Sequence, residues 1–289
     1  MERFKRILFY ANPDSELDPA FQRAVALAAG NGAELTVMDV LDPVPGQMGE
    51  MLDGWSADRL AELIRRAREE KLQALVDRAA EQGVSARVTV TFGKAFVEIT
   101  REVLRGGHDL LIKGTPAGRA EGLVSTDMHL MRKCPVPIWL IKADFTSPPM
   151  RILAAVDPDP EEPENDPLNG RILQLASSLA AMEGAELHVV HAWQVVGEAI
   201  LRSGRARLTA REVDALENGI EDSHRYRLKA LLSAYGLPEV TTVSHVAKGD
   251  PADVILDAAD AQAANLIVMG TVARTGLAGF FIGNTAEEV

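Results

Sequence analysis

The sequence predicts an α/β fold made of two domains, each a parallel sheet with helices on both faces. Two observations predict it. Short, near-continuous apolar runs alternate with segments of helical periodicity, and the whole pattern occurs twice. The 289 residues suffice for two domains of ordinary size. We expect these domains to span residues 1–143 and 150–289, with their boundary in the two-proline segment 144–150.

Three strand-like runs of the first half return in the same order in the second half. Residues 6–13, 33–40 and 109–115 return as residues 151–158, 185–192 and 265–271. The repeated unit is domain-sized, so it indicates two domains and not a solenoid of short repeats. Runs that are apolar along their whole length are typical of strands buried on both faces, as in parallel sheets.

Helical patterns occupy the segments between these strands. Apolar residues recur at helical spacing over residues 60–79 and again over residues 213–232. Thr209 and Glu212 have the spacing of a capping box, which predicts where the second of these helices begins. The sequence Gly-Leu-Pro at 236–238 predicts where it ends.

The C-terminal stretch has the features of an anion site. The apolar run 264–269 breaks at Gly270, a glycine-rich loop follows, and residues 283–285 begin a predicted helix. Backbone N–H groups of such a loop, together with the partial positive charge of a helix start, favour a phosphate. The spacing is not that of the P-loop, because Gly-Lys-Ser/Thr is absent, nor that of the dinucleotide motif G-x-G-x-x-G.

This stretch resembles the phosphate loop of the universal stress protein family, G-x2-G-x9-G-[S/T]. Gly270 and Gly283 hold the outer positions, Ala273 replaces the middle glycine, and Asn284 replaces Ser or Thr. The words Gly-Thr-Val-x-Arg-Thr-Gly and Gly-Asn-Thr-Ala-Glu resemble the tandem, E-type branch of that family. The resemblance covers essentially the whole chain. It implies two Rossmann-like domains of the adenine nucleotide alpha hydrolase-like kind, with strand order 3-2-1-4-5.

The resemblance also implies an adenine-nucleotide site in the second half, with ATP as its cofactor. An acid after the first strand and the backbone after the second strand would lie at the adenine, and the glycine loop would hold the phosphates. The expected nucleotide-binding residues are Asp157, Val190, Met269, Gly270, Ala273, Gly283, Asn284 and Thr285.

Two alternatives about this loop stay open. Ala273 costs about 1–2 kcal/mol if its φ has to be positive, and nothing if its φ is negative. Asn284 is a good N-cap residue, so Gly283 and Asn284 would serve equally well to cap a helix in a loop that holds no ligand.

The first half is expected to have lost the site. Asp127 follows Gly114 at the spacing that separates the two outer glycines of the second half, and Asn12 replaces the acid after the first strand. A carboxylate at ~4 Å from a phosphate repels it by about 4 kcal/mol at an effective dielectric near 20. We therefore expect Asp127 to occupy the phosphate position, with His129 or Arg132 nearby. This half would be a scaffold or would bind a different ligand.

The second half stops at Val289, inside its last predicted helix, without a counterpart of the apolar run 138–142. We expect the second domain to lack a fifth strand, either because the sequence is shortened or because the domain lacks that edge. An unpaired apolar edge at residues 138–141 invites association. The resemblance implies pairing between domains or between subunits, so intramolecular domain pairing and a homodimer are both expected.

Composition narrows the class of protein. The net charge of −12 disfavours nucleic acid and anionic membranes as partners. The single cysteine, Cys134, excludes a disulfide framework and fits a cytoplasmic location. No apolar run approaches the ~20 residues of a membrane helix. His188 and His191 are three apart on a predicted strand and face opposite sides, so they cannot bind one metal together, and no metal site is predicted.

Three classes of function remain open. The first is a nucleotide-binding protein with a regulatory or stress-resistance role. The second is an enzyme, at most a slow ATPase, without predicted catalytic residues, because the second loop has no lysine and no positioned base is visible. The third is an interaction or hydrophobic-ligand module in which Phe280 and Phe281 line the same crevice, although core packing is the simpler role for these aromatics.

Overall fold

The computed structural model describes two compact units, Met1–Ser147 and Pro148–Val289, each an α/β domain. Within them it describes residues 4–11, 19–46, 56–115, 125–143, 145, 148, 150–158, 166–203, 208–237, 240–271 and 284–289. None of the helices in these ranges combines the length and the apolar character that crossing a membrane requires.

The first unit is built on a five-stranded parallel sheet. Its strands are β1 (Arg6–Tyr10), β2 (Glu34–Leu41), β3 (Ala86–Phe92), β4 (Leu110–Thr115) and β5 (Ile138–Lys142). Its described helices are α1 (Pro19–Asn31), α2 (Ala57–Glu81), α3 (Ala95–Gly106) and α4 (Ser125–Lys133). The strand order is β3-β2-β1-β4-β5, which confirms the predicted order.

The second unit repeats this plan with four strands in its described residues. Its strands are β6 (Arg151–Ala155), β7 (Glu186–Trp193), β8 (Thr242–Lys248) and β9 (Leu266–Val268). Its described helices are α5 (Asp166–Glu183), α6 (Glu198–Arg202), α7 (Ala210–Tyr235), α8 (Pro251–Ala261) and α9 (Asn284–Glu288). The order β8-β7-β6-β9 is the order of the first sheet without its fifth strand, as predicted.

Both faces of the second sheet are buried, which explains the apolar runs in the sequence. Leu153 and Val190 enter one core, where they pack against Ile255 of α8. Leu187 enters the opposite core, which α5 and α7 cover and to which Leu228 belongs. Side chains alternate between faces along a strand, so a strand covered on both sides needs apolar residues at nearly every position.

The strand order of the second sheet reverses between β6 and β9. The chain leaves β6 toward β7 and β8 on one side and returns to β9 on the other side. Ala154 pairs with Val268, so these two parallel strands end side by side. In the first sheet β1 and β4 have the same relation, with Tyr10 opposite Lys113. Parallel α/β sheets bind ligands at the carboxyl ends of strands where the order reverses.

Helix α7 begins at the predicted capping box. The Thr209 N–H donates to Glu212 Oε2 at 2.8 Å, and the Glu212 N–H donates to Thr209 Oγ1 at 3.3 Å. The helix ends at Gly236, which has a left-handed conformation with φ 46°. Both ends of this helix are therefore set by local sequence, as predicted.

We expect Thr209→Ala to lower the free energy of unfolding by about 1 kcal/mol, because it leaves an N–H of the first turn without its acceptor. Urea denaturation followed by circular dichroism measures this loss. Thr209→Ser keeps the hydroxyl and should remain close to the wild type. An equal loss in both variants would show that the cap does not stabilise the helix.

Candidate functional site

A buried asparagine fixes the backbone of Asp157 in the second crevice. Asp157 follows β6, and its N–H donates to Asn169 Oδ1 at 3.0 Å, while Asn169 Nδ2 donates to the Asp157 carbonyl at 2.9 Å. Asn169 lies on α5 and is 3% exposed, whereas the side chain of Asp157 is 36% exposed. The backbone is therefore held while the carboxylate stays accessible. Sequence reasoning missed Asn169, whose only signal was a lone amide on the buried face of a helix.

The structure brings Val190 and Met269 together beneath this point. Val190 is buried, and its carbonyl accepts a hydrogen bond from the Val156 N–H at 3.0 Å, next to Asp157. Met269 packs against the apolar cluster to which Val190 belongs. Asp157 and Met269 thus follow the carboxyl ends of β6 and β9, and Val190 lies on β7 opposite Ala155, the last residue of β6.

Gly270 is the second residue after β9 and lies close to α5. A Cβ placed on Gly270 would be 2.8 Å from Leu168 Cδ2, a distance at which that side chain would have to shift. Here the chain uses glycine for close approach of a strand end to a helix. Gly270 and Asp157 therefore follow the carboxyl ends of two neighbouring strands, β9 and β6.

The rest of the predicted phosphate loop is described only in part. Thr285 lies on α9, which contacts α8. Ala273, Gly283 and the side chain of Asn284 lie outside the described residues. The role of these residues as phosphate ligands stays a prediction.

Two hydrogen-bonded pairs of histidines flank β7. His188 Nδ1 lies 3.0 Å from His245 Nε2 of β8, and His191 Nε2 lies 2.7 Å from His224 Nδ1 of α7. His188 and His191 are on opposite faces of the strand, as their spacing predicts. Sequence reasoning missed both pairings, because the partners are 57 and 33 residues apart along the chain.

The geometry of these pairs is that of direct N–H···N hydrogen bonds. The ring centroids are 5.3 Å apart in the His188–His245 pair and 4.9 Å apart in the His191–His224 pair. Each value is close to the N···N distance plus the radii of the two rings, so the nitrogens point at each other. A shared metal would need both lone pairs to converge on a third point. Burial, with the neighbouring His188, lowers the pKa of His245.

The first crevice contains a buried ion pair. Asp127 in the first turn of α4 is 0% exposed, and Lys113 of β4 is 8% exposed. Lys113 Nζ lies 2.9 Å from Asp127 Oδ1 and donates its hydrogen bond to the Gly114 carbonyl at 3.1 Å. The contact is ionic, since neither Asp127 oxygen has a hydrogen-bond donor with good geometry among the described residues.

Lys113 is the charged neighbour of Asp127 that sequence reasoning missed. Of the two neighbours that the sequence suggests, His129 stacks on Phe96 with ring centroids 4.5 Å apart, and its nearness to Asp127, like that of Arg132, stays a prediction. The available signal was a lysine inside an apolar run, at the position where the second half has Met269. The two halves therefore differ at two corresponding positions: the first has Lys113 and Asp127 where the second has Met269 and Gly283.

Further charged groups lie at the carboxyl ends of β1 and β2. Arg68 of α2 pairs with Asp39, which is buried on β2. Burial raises the pKa of Tyr10 to about 12, and the carboxylates of Asp39 and Asp127 add to the shift. The phenol of Tyr10 thus belongs to the same electrostatic environment as the Lys113–Asp127 pair.

Comparison with known proteins gives one consistent family. The model of the universal stress protein family matches residues 3–142 and 149–289. Universal stress protein E of Escherichia coli K12 is 30% identical over 294 residues, covering 100% of this chain and 91% of that protein. The universal stress protein E homolog of Haemophilus influenzae is 29% identical, covering 99% of this chain and 94% of that protein.

A solved structure shows the same fold. The crystal structure of a functionally unknown protein from Pseudomonas aeruginosa PAO1 matches with a TM-score of 0.72 and 24% identity. The match covers 100% of this chain and 89% of that one.

We expect Asp127→Asn to lower the free energy of unfolding by about 3–5 kcal/mol, because it leaves the Lys113 ammonium buried without a countercharge. Urea unfolding of the full chain measures this loss. The double variant Lys113→Met/Asp127→Gly, which copies the residue types of the second half, should recover most of it. A loss below about 1 kcal/mol in Asp127→Asn, the range of exposed pairs, would contradict a buried ion pair.

Tyr10 should ionise well above the usual pKa of 10.0, at about 12. Because folding favours the neutral phenol, the Tyr10 contribution to stability is present below pH ~10 and is lost as pH rises toward 12. The difference between the tyrosinate absorbance titrations of the wild type and Tyr10→Phe isolates this group. A difference titration centred near the usual value would show that the phenol is solvated.

Proposed function

The chain belongs to the universal stress protein family as a tandem, E-type member, and on that premise we propose that its second domain binds an adenine nucleotide, with ATP as the ligand. The proposed role is regulatory or in stress resistance. The proposal assigns no catalytic residue. It rests on the crevice of the second domain, where the strand order reverses.

The relation of Asp157 to Gly270 carries the proposal. Ala154 and Val268 pair across β6 and β9, and Asp157 and Gly270 follow them within three residues on neighbouring strands. Both residues therefore leave the sheet at the point where such folds hold ligands. Asp157 offers an accessible carboxylate on a backbone that Asn169 immobilises. A fixed acceptor of this kind suits the exocyclic amine of adenine.

The phosphates would lie on the loop that begins at Gly270. Glycine allows the backbone N–H groups to approach phosphate oxygens, and the start of a helix adds partial positive charge. In the proposal, Gly270, Ala273, Gly283, Asn284 and Thr285 supply this cradle. Gly270 also packs closely against α5, so a larger residue there would disturb the end of β9 as well as the proposed cradle.

We infer that the first domain does not bind nucleotide. Asp127 stands where the second domain has Gly283 of its proposed phosphate loop. Its carboxylate is buried and pairs with the buried ammonium of Lys113. A phosphate at this position would have to displace the Asp127 side chain and break its buried pair with Lys113, which is strongly unfavourable. The proposal is therefore one nucleotide per chain.

Calorimetric titration of the full chain with ATP, ADP and AMP tests both statements. We expect binding of one nucleotide per chain, and we expect Gly283→Asp to abolish it by placing a carboxylate beside the phosphates. Gly219→Asp is the matched control, because Gly219 is exposed on α7 and a Cβ there meets no heavy atom within 4 Å.

The outcomes separate the statements. Two nucleotides per chain would contradict the inference about the first domain and leave the second site standing. No heat with any of the three nucleotides would contradict the nucleotide proposal itself. The crevice would then belong to the interaction or hydrophobic-ligand class of function.

A further inference from the structure

A chain of hydrogen bonds runs from helix α7 to the end of β6, where Asp157 begins the proposed site. His224 is half-buried on α7, and His191 is 2% exposed on β7. His224 Nδ1 lies 2.7 Å from His191 Nε2, and His191 Nδ1 lies 3.2 Å from the Val156 carbonyl. The next residue is Asp157, whose Oδ1 is 3.7 Å from His191 Nδ1.

The Val156 carbonyl determines which nitrogens carry hydrogen in this chain. A carbonyl only accepts, so His191 Nδ1 carries a proton and donates it. In the neutral ring Nε2 is then unprotonated and accepts, which makes His224 Nδ1 the donor of the bond between the rings. The hydrogen bonds from His224 through His191 to the Val156 carbonyl are therefore all directed toward the end of β6, and one further proton makes the pair cationic.

A single added proton gives the pair one positive charge, and a proton transfer between the two rings moves this charge without changing the number of protons. When His224 Nδ1 passes its proton to His191 Nε2, the positive charge moves from the half-buried ring to the buried ring. In either form the pair carries one proton more than in its neutral state. The charge on His191 is then close to the Asp157 carboxylate, which favours it.

We propose that His191 and His224 are positioning residues of the second crevice, and that they couple ligand binding at Asp157 to the uptake of a proton by the histidine pair. This inference rests on the proposed nucleotide site. A bound nucleotide removes water from Asp157, which strengthens its attraction to a charged pair, and it brings anionic phosphates into the same domain. By linkage, the protonated pair binds the anionic ligand more tightly, so affinity rises as pH falls.

Other charged groups around the pair are largely occupied with each other. Lys248 of β8 lies over the Trp193 ring, 6.0 Å from its centroid, and Trp193 stacks on His224 with centroids 5.7 Å apart. The charged groups from the neighbouring elements form one network of Lys248, Glu198, Arg202, Asp214 and Glu217. On the exposed side of α7, Glu221 pairs with Arg225. Asp157 is the charged group that faces His191 from β6.

The second histidine pair provides a control on the same strand. His188 and His245 make the same kind of hydrogen bond on the opposite face of β7, and the Glu186 carboxylate lies 3.7 Å from His188 Nε2. The His188–His245 pair lies on the sheet face that α8 covers, and the His191–His224 pair lies on the sheet face that α7 covers. A substitution in the His188–His245 pair should therefore leave the coupling at Asp157 intact.

Calorimetric titration with ADP at about pH 6 and about pH 8 tests the coupling. We expect wild-type affinity to be about three- to tenfold higher at the lower pH, which corresponds to a rise of half to one unit in the pKa of the pair on binding. His224→Asn keeps an amide donor to His191 Nε2, so a further proton on His191 would break that hydrogen bond. In this variant the ratio of the affinities at the two pH values should fall to the contribution of the ADP phosphate. That contribution is the same in the wild type and the variant.

The control variant and a ligand-free measurement complete the test. His245→Gln should keep the wild-type ratio between the two pH values. Without nucleotide, Trp193 fluorescence reports the charge on His224, since the indole stacks on that ring. In a protein with Trp55 and Trp139 replaced by Phe, Asp157→Asn should shift the midpoint of this titration to lower pH, because the carboxylate no longer favours the charged pair.

Each result has one meaning. Nucleotide binding with the same pH ratio in the wild type and His224→Asn would overturn the coupling and leave the proposed function standing. An unchanged fluorescence midpoint in Asp157→Asn would also overturn it, without reference to any ligand. Absence of nucleotide binding at both pH values would remove the proposed function and this inference together.

Discussion

In a parallel sheet whose order reverses, the two central strands send their connections in opposite directions. Here β1 pairs with β2 and β4, and β6 pairs with β7 and β9, so each central pair ends where crossovers diverge. The backbone and side chains at these ends border a crevice between the diverging connections. Polar groups at these strand ends need hydrogen-bond or charge partners. Whether those partners come from the protein or from a ligand determines whether the crevice can bind one.

The two domains supply those partners differently. In the second domain, Asn169 bonds both backbone groups of Asp157, and Gly270 lets the end of β9 approach α5, so the crevice presents an accessible carboxylate. In the first domain, the crevice holds Lys113 and Asp127, which are buried against each other. The same strand order therefore supports a proposed ligand site in one copy and an internal charge pair in the other.

The fold could be predicted from sequence because its signals are local. Apolar runs mark the strands, and the spacing of Thr209 and Glu212 marks the start of α7. Asp127 could be singled out because the duplicated second half provides an internal reference for its position. The partners of the site residues could not be found in this way. The Lys113 contact and the histidine pairs join distant segments, and only the three-dimensional structure reveals which segments meet.

The pairing of Lys113 with Asp127 has an evolutionary consequence. Reverting either residue alone leaves an uncompensated charge in the interior, whereas replacing both together leaves none. The mutations that separate the two kinds of domain are thus epistatic: each is harmful without the other. In a first domain that holds both residues, each single reversion would pass through a less stable protein, so this difference between the duplicated halves is hard to reverse one substitution at a time.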